Sequence, residues 1–553
     1  WCDCKLCKLG EIEKLCTSDV SYLVKFVDLR LLGRHSARSF KVLYDTSTSE
    51  AHFKALLIAA SMSGDASAED VELSDVLKKG LRASTDANTC PGTVGDVLVG
   101  ALRLEYKPDL TIDEARVLRR AFSTEGFVQR LKLSGLPLDV CKVVLEGLDE
   151  SSSLEELELF NIESNDEDFT LNLSGIFDNL RVLRLSCSDI DDQFAMDVAF
   201  FLQDNTRLEE LSLCYSDISD DGATSLAESL AINSTLRKVV LANNGLTSRT
   251  LIAFAEALTV NTTIKMVDIF EVDMEEEDVA VLFLDGRYAD IFKRMYILWK
   301  EDFLPQLTRL LREDRHCTDV SIEVTKSVPE GHLLEFFDAV ANNMTVQSLH
   351  INPSGDKAFG ALTDGLVSVL ERTTTLTRIQ NLMSVDRTDD TLVIRVLDAL
   401  RDNRSVTTLA MCAEQLTPPI AASLSELLAT NDVLNDISIC DDLEVRSEEL
   451  VVILEGLRKN YTVTHLMVAC DPDEDVEGVS EMAELLDRNV RLLDRAVEFV
   501  RAGSSGIEDE EGADALKKVH CSASLVDKLQ KITGKTKEDV MADIEAALSG
   551  AQC

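Results

Sequence analysis

Reactive side chains are sparse and poorly matched to one another. The chain opens "WCDCKLC", and with Cys16 four thiols fall within 16 residues. Thiolates at that density are ligands for structural zinc, but closed zinc sites use paired knuckles with regular spacing. The spacing Cys-x-Cys-x-x-Cys-x8-Cys matches none of them. "TGKT" at 533–536 has the ending of a phosphate loop, which needs a glycine five residues before its second one so that backbone amides can cradle the phosphates. Position 529 is Leu529, and no apolar strand precedes it. Thr536, with Asp539 three residues on, reads instead as a helix start. The seven histidines are dispersed, and His350 has no Cys, Asp or Ser placed with it. Arg287, in "DGRYADIF", shares only its residue type with an arginine finger. No nucleophile, base and orienting group converge in sequence. The expectation is a non-enzymatic protein with no metal and no cofactor.

Composition narrows the class. At 553 residues the chain is too long for one compact core, unless that core extends in one dimension. Apolar residues make up 45%, which excludes a disordered chain, yet aromatics are only 5%, which suits thin stacked units better than a large enzyme core. The net charge of −44 repels nucleic acid and anionic membranes and favours basic partners, besides keeping a long apolar array in solution. No window approaches the roughly 18–20 apolar residues of a membrane span. No basic-then-apolar start resembles a signal peptide, and the first residue, Trp1, reads as a fragment's start. Fourteen cysteines scattered from Cys2 to Cys553 fit a reduced, cytoplasmic protein.

What positions any site is a repeat. The stretch "NSTLRKVVLANNGL", 233–246, has relatives upstream ("NTRLEELSL") and downstream ("NTTIKMVDI"). With Leu236 as anchor, equivalent positions are Val99, Val128, Leu154, Leu180, Leu208, Ile264, Phe292, Cys317, Val346, Leu376, Val406, Leu434 and Val463. Successive anchors lie 25 to 30 residues apart, with a mean of 28. Internal periods of that length mean a solenoid. Before each anchor stands one helix face: Ala223, Leu226, Ala227 and Leu230 before Leu236, and Leu251, Phe254, Ala255 and Leu258 before Ile264. Each unit is thus a short strand, a turn and a helix. Asparagine falls three residues before many anchors (Asn205, Asn233, Asn261, Asn343, Asn403, Asn431, Asn460), where the expectation is a left-handed helix end.

Parallel strands sit about 4.8 Å apart, whereas packed helices need about 8–10 Å. A layer of one joined to a layer of the other must curve. The expected fold is therefore α/β, a right-handed horseshoe with parallel strands on the concave side and helices on the convex side.

"LRKVVLANNGL" resembles the Leu-x-x-Leu-x-Leu-x-x-Asn-x-Leu pattern of leucine-rich repeats. The period and the full helices are similar to the ribonuclease-inhibitor subclass, and the resemblance covers roughly residues 87–490. Similar repeats form the sensor region of NOD-like receptors and the Ran GTPase-activating protein. The resemblance implies a cytoplasmic protein-interaction scaffold or sensor, of the NOD-like-receptor type associated with innate immunity, holding a partner on its concave face. Two alternatives stay open: GTPase activation of the Ran-directed kind, and substrate adaptation for a ubiquitin ligase.

The expected organisation has four parts: a helical flank or cap over 1–86, a leucine-rich-repeat array of about 14 units over 87–502, an acidic linker over 503–514, and a helical pair over 515–553. On each strand, positions +3 and +5 from the anchor point to the core, and +2, +4 and +6 to the concave surface. That surface carries Arg184, Asp268, Tyr296 and His350 at +4, Phe270 and Leu298 at +6, and Arg294 beside Asp268. Aromatic and arginine anchors flanked by polar groups are what protein interfaces prefer. These seven residues are the expected partner site.

Overall fold

The structure is a computed structural model. It describes residues 101–105 and 129–550, apart from 149–153, 163–176, 187–189, 354–359, 384–389, 413–415, 441–445, 469–475, 504–508 and isolated positions, with a few residues between 112 and 119. The flank 1–86 and its cysteines lie outside the described residues. Strands and helices alternate through two compact units, divided between Ile297 and Leu298.

The N-terminal unit holds an open parallel sheet of eight strands in chain order. They are β1 (Ala101–Glu105), β2 (Arg130–Ser134), β3 (Glu156–Phe160) and β4 (Val182–Ser186). β5 (Glu210–Leu213), β6 (Lys238–Val240), β7 (Met266–Asp268) and β8 (Met295–Tyr296) follow. Among the described residues its helices are α1 (Leu138–Glu146), α2 (Asp192–Asp204), α3 (Asp220–Leu230), α4 (Ser248–Val260) and α5 (Glu276–Leu284). From α2 to α5 each helix packs on the next, and each strand pairs with the next.

The C-terminal unit repeats the plan with seven strands. These are β9 (Leu298–Trp299), β10 (Asp319–Val324), β11 (Ser348–Pro353), β12 (Arg378–Met383), β13 (Thr408–Cys412), β14 (Asp436–Cys440) and β15 (His465–Val468). Between them run α6 (Leu304–Arg312), α7 (Glu330–Asn342), α8 (Gly360–Arg372), α9 (Thr391–Leu400), α10 (Pro418–Thr430) and α11 (Ser447–Leu457). The long α12 (Val476–Ala502) stands where a further strand would come. Three helices close the chain rather than the expected pair: α13 (Glu510–Val519), α14 (Ala523–Thr533) and α15 (Lys537–Gly550). α13 starts inside the stretch read as an acidic linker, with Asp509 capping it through Gly512 N–H. All fourteen anchors precede a strand; β9 is a fifteenth strand without one.

The apolar period explains the packing. Register places Leu131, Leu157, Leu183, Leu211, Val239, Val267 and Met295 side by side across the first sheet, and all are buried. The predicted helix faces are buried too, including Ala223, Leu226, Ala227 and Leu230, then Leu251, Phe254, Ala255 and Leu258. Each fully buried leucine or phenylalanine contributes about 1.5–3 kcal/mol, so no repeat holds its shape without the neighbour that covers it.

Two polar ladders run beside this core. The asparagines before the anchors are buried, but they are not left-handed: Asn205, Asn261, Asn343 and Asn431 have φ between −89° and −72° and ψ from 122° to 140°. Their task is hydrogen bonding. Asn233 Oδ1 accepts from Thr235 N–H at 3.0 Å and Leu236 N–H at 2.8 Å. Its Nδ2 donates back to the carbonyls of Leu202, at 2.7 Å, and Asn205, at 3.0 Å. Asn261, Asn431 and Asn460 repeat the pattern toward their own predecessors. The side-chain nitrogens of the sequons at Asn233 and Asn261 are thereby committed, and both residues are buried.

The second ladder joins helix starts. Asp192 accepts from Ser219 N–H and Gly222 N–H in the next unit, and Asp220 accepts from Thr247 N–H and Thr250 Oγ1. Burial works against the charge of Asp220, yet the donors of Thr247 and Thr250 outweigh it and hold the carboxyl below its ordinary value. Left-handed backbone occurs elsewhere, at the residue seven past the anchor where the strand turns away: Gly135 (φ 64°), Asn161 (49°), Tyr215 (53°), Asn243 (58°) and Glu271 (69°). Asn244, next to that turn, accepts from Ile218 N–H and donates to the carbonyls of Leu213 and Leu241, as its place in the repeat predicts.

Candidate interaction surface

On the strand face of the N-terminal unit, register aligns Lys132, Glu158, Arg184, Ser212, Val240, Asp268 and Tyr296 on successive strands. A parallel level aligns Arg130 with Glu156, and Glu210 with Lys238. Opposite charges are neighbours on both. Arg184 Nη2 reaches Glu210 at 3.0 Å and its Nη1 pairs with Glu158. Lys132 lies 3.6 Å from Glu158, Lys238 3.2 Å from Glu210, and Arg130 3.3 Å from Glu156. Burial disfavours the Arg184 charge, but the carboxylates of Glu210 and Glu158 outweigh it and hold its pKa above the usual guanidinium value. Burial likewise raises Glu210, and Arg184 and Lys238 bring it below the ordinary carboxylate range. Arg184 therefore lies on the expected face with its guanidinium shared between two neighbouring strands. Glu158, Glu210, Lys132 and Lys238 were not among the predicted site residues. Their opposite signs on neighbouring strands, at the +2 and +4 positions, are the signal that reveals them.

Beyond Val240 the surface changes character. Asp268 on β7 faces Tyr296 on β8 in register. Phe270, two residues past Asp268, stacks on Tyr296 with ring centroids 5.6 Å apart and planes 23° apart. All three residues are part-buried. Asp268 Oδ1 accepts from Phe270 N–H at 3.1 Å. Burial pushes the Asp268 carboxyl up to about 6, against which that amide and the distant Lys238 are too weak.

The remaining predicted residues are not part of this cluster. Arg294 does not present its guanidinium beside Asp268; it donates to the carbonyl oxygens of Asn261, at 2.6 Å, and Leu258. The reason is the residue at 289: a ladder asparagine is due there, and Ala289 cannot supply it. Leu298 is buried rather than on the open face, 5% exposed. The chain ends β8 at Tyr296 and starts β9 two residues later, so Leu298 takes the level of Ser321 in the second sheet. His350 lies in that sheet beside Ser321 and Gln380, and burial lowers its pKa to about 4, so it is neutral at pH 7.

Among the described residues no cluster of His, Cys, Asp and Glu is arranged to hold a metal ion. Among the described residues no helix is long and apolar enough to cross a membrane. The fold and this face define an α/β repeat solenoid. No protein-family model matches the chain, and no curated protein gives a significant match. Among solved structures, leiomodin-1 actin-binding site 2 is similar at 17% identity over 34% of this chain and 88% of that one, with a TM-score of 0.22.

Proposed function

We propose that the protein is a non-enzymatic scaffold or sensor that holds a protein partner on the strand face of its N-terminal unit. The carrying observation is the Phe270–Tyr296 stack, part-exposed beside Asp268 at the end of a charge network that satisfies itself. Aromatic anchors with a polar surround supply most of the energy at protein interfaces. The repeat "LRKVVLANNGL", with its asparagine-held turn, supports the finer reading of a cytoplasmic sensor of the NOD-like-receptor type.

The test is affinity capture with the full chain and with Phe270→Ala, Tyr296→Ala. The double variant is expected to keep the circular dichroism of the parent and to lose at least one specific partner by more than tenfold. If every captured partner survives both changes, this face is not the binding site.

A further inference from the structure

Resting on that reading, we infer that Asp268, Phe270 and Tyr296 form a cradle for an arginine side chain of the protein partner. Three observations carry this. First, along the strand face every other acidic residue of the central rows has a cation against it: Glu156 has Arg130 and Arg181, Glu158 has Lys132 and Arg184, and Glu210 has Arg184 and Lys238. Among the described residues Asp268 has no ion pair, and its one hydrogen bond, from Phe270 N–H, engages a single oxygen. The cation nearest to serving it, Lys238, is already 3.2 Å from Glu210. On its row Asp268 stands between the uncharged Val240 and Tyr296, with no cation on either neighbouring strand.

Second, what flanks this carboxylate is a near-parallel aromatic pair on the adjoining strand level, 5.6 Å between centroids. Ring faces attract cations, and a guanidinium, being planar and weakly hydrated, both stacks on them and forks onto a carboxylate. An ammonium pairs with a carboxylate as a strongly hydrated point charge, without the planar stacking or the fork. Third, the chain carries a net charge of −44, which draws basic segments toward it over long range. The carboxyl's raised pKa agrees with a site where a charge is held without its counterpart.

The probe is a fluorescently labelled tetra-arginine peptide against the full chain at 0.15 M salt, with tetra-citrulline and tetra-lysine as controls. Because so acidic a chain binds cations non-specifically, Asp268→Asn is compared with Glu277→Gln, which removes one charge from an exposed helix start. Asp268→Asn and Phe270→Leu are expected to weaken tetra-arginine binding at least tenfold and severalfold respectively, and Glu277→Gln less than twofold, with tetra-lysine weaker than tetra-arginine. Equal losses in Asp268→Asn and Glu277→Gln, citrulline binding as tightly as arginine, or no arginine-dependent binding by the parent chain would each overturn the inference. If the Phe270, Tyr296 double variant loses its captured partner while Asp268→Asn retains it, the scaffold reading stands and the arginine cradle does not.

Discussion

Arg294 donates to the carbonyl oxygen of Asn261 at 2.6 Å, the bond that Asn261 itself makes to Asn233 one repeat earlier, at 3.0 Å. The C-terminal unit ends its ladder the same way: Arg488 donates to the carbonyls of Leu457 and Asn460, where Asn460 had served Leu428 and Asn431. An arginine guanidinium thus completes each asparagine ladder. Burial lowers the pKa of both guanidinium groups, and both exchange water for backbone carbonyls.

Breaking a rung leaves buried donors and acceptors together. Asn233→Ala strands the amides of Thr235 and Leu236 and the carbonyl of Leu202, and leaves the Asn205 carbonyl only the Thr235 hydroxyl, each unsatisfied group costing about 1–3 kcal/mol. A loss of at least about 2 kcal/mol is expected. Hydrogen exchange is the suitable readout, because repeat arrays open locally, and protection should fall first at Leu236 and its neighbours. Arg488→Met should act similarly on α11 and β15 and leave the N-terminal unit's exchange unchanged.

The turn seven residues past the anchor offers a gain. Tyr215 occupies left-handed backbone at φ 53°, where equivalent turns use Gly135, Asn161 and Asn243. A bulky residue there costs of order 1–3 kcal/mol. Tyr215→Asn keeps the turn and relieves part of that strain, so its urea midpoint is expected to rise by an amount worth about 1 kcal/mol. A lower midpoint would mean that contacts of the tyrosine ring outweigh the strain.

A pH dependence follows from His316. Its Nε2 accepts from Trp299 Nε1–H at 3.1 Å, which leaves the ring proton on Nδ1, 2.9 Å from the Cys317 carbonyl. Burial lowers its pKa to about 4 from 6.5. Between those values the unfolded chain takes a proton that the folded chain refuses, so stability falls as pH drops from 6.5 toward 4, by roughly 3 kcal/mol from this residue. His350 acts in the same direction. Asp268, raised to about 6 from 3.8, acts in the opposite one: the folded chain takes its proton first, and stability rises as pH falls through that window. Denaturation of His316→Gln against the parent at pH 7 and pH 5 isolates the first contribution. The variant should lose less on acidification, and parallel slopes would refute the assignment.

The closing helices make one apolar cluster with the end of α12: Leu493, Val497, Phe499 and Val500 bury against Leu516, Leu525, Leu529 and Ile544. Ser522 also donates to Asn435 at the foot of β14. A chain ending at residue 508 should therefore expose the α12 face and scatter light as a larger species than the parent does at the same concentration. An unchanged mass with an unchanged melting temperature would show that the cluster contributes little.

Much of this fold is legible because its period is short and its apolar positions are local. Leu236, Val239 and Leu241, and the helix face Leu251, Phe254, Ala255 and Leu258, are all buried as their spacing requires. The site was legible only in part. Asp268, Phe270 and Tyr296 come together because register carries them there. Arg294 was misplaced because its partners, Leu258 and Asn261, lie more than thirty residues earlier, beyond any local pattern. Leu298 was misplaced because the strand period slips where β9 begins, and one short slip moves a side chain to another level. The asparagines were found but misread, since a hydrogen-bond ladder between repeats leaves the same spacing as a helix-end conformation.

Every ladder asparagine carries its donor toward the unit before it and its own carbonyl toward the unit after it. A copied unit between Asn233 and Asn261 would therefore meet compatible groups on both sides, and such an array can grow by whole-unit duplication without redesigning a neighbour. A gain or loss of ten residues would leave donors facing the wrong carbonyls. Arg294 and Arg488 mark where such copying meets the end of a ladder, because each satisfies the last carbonyls with a guanidinium instead of a ladder asparagine.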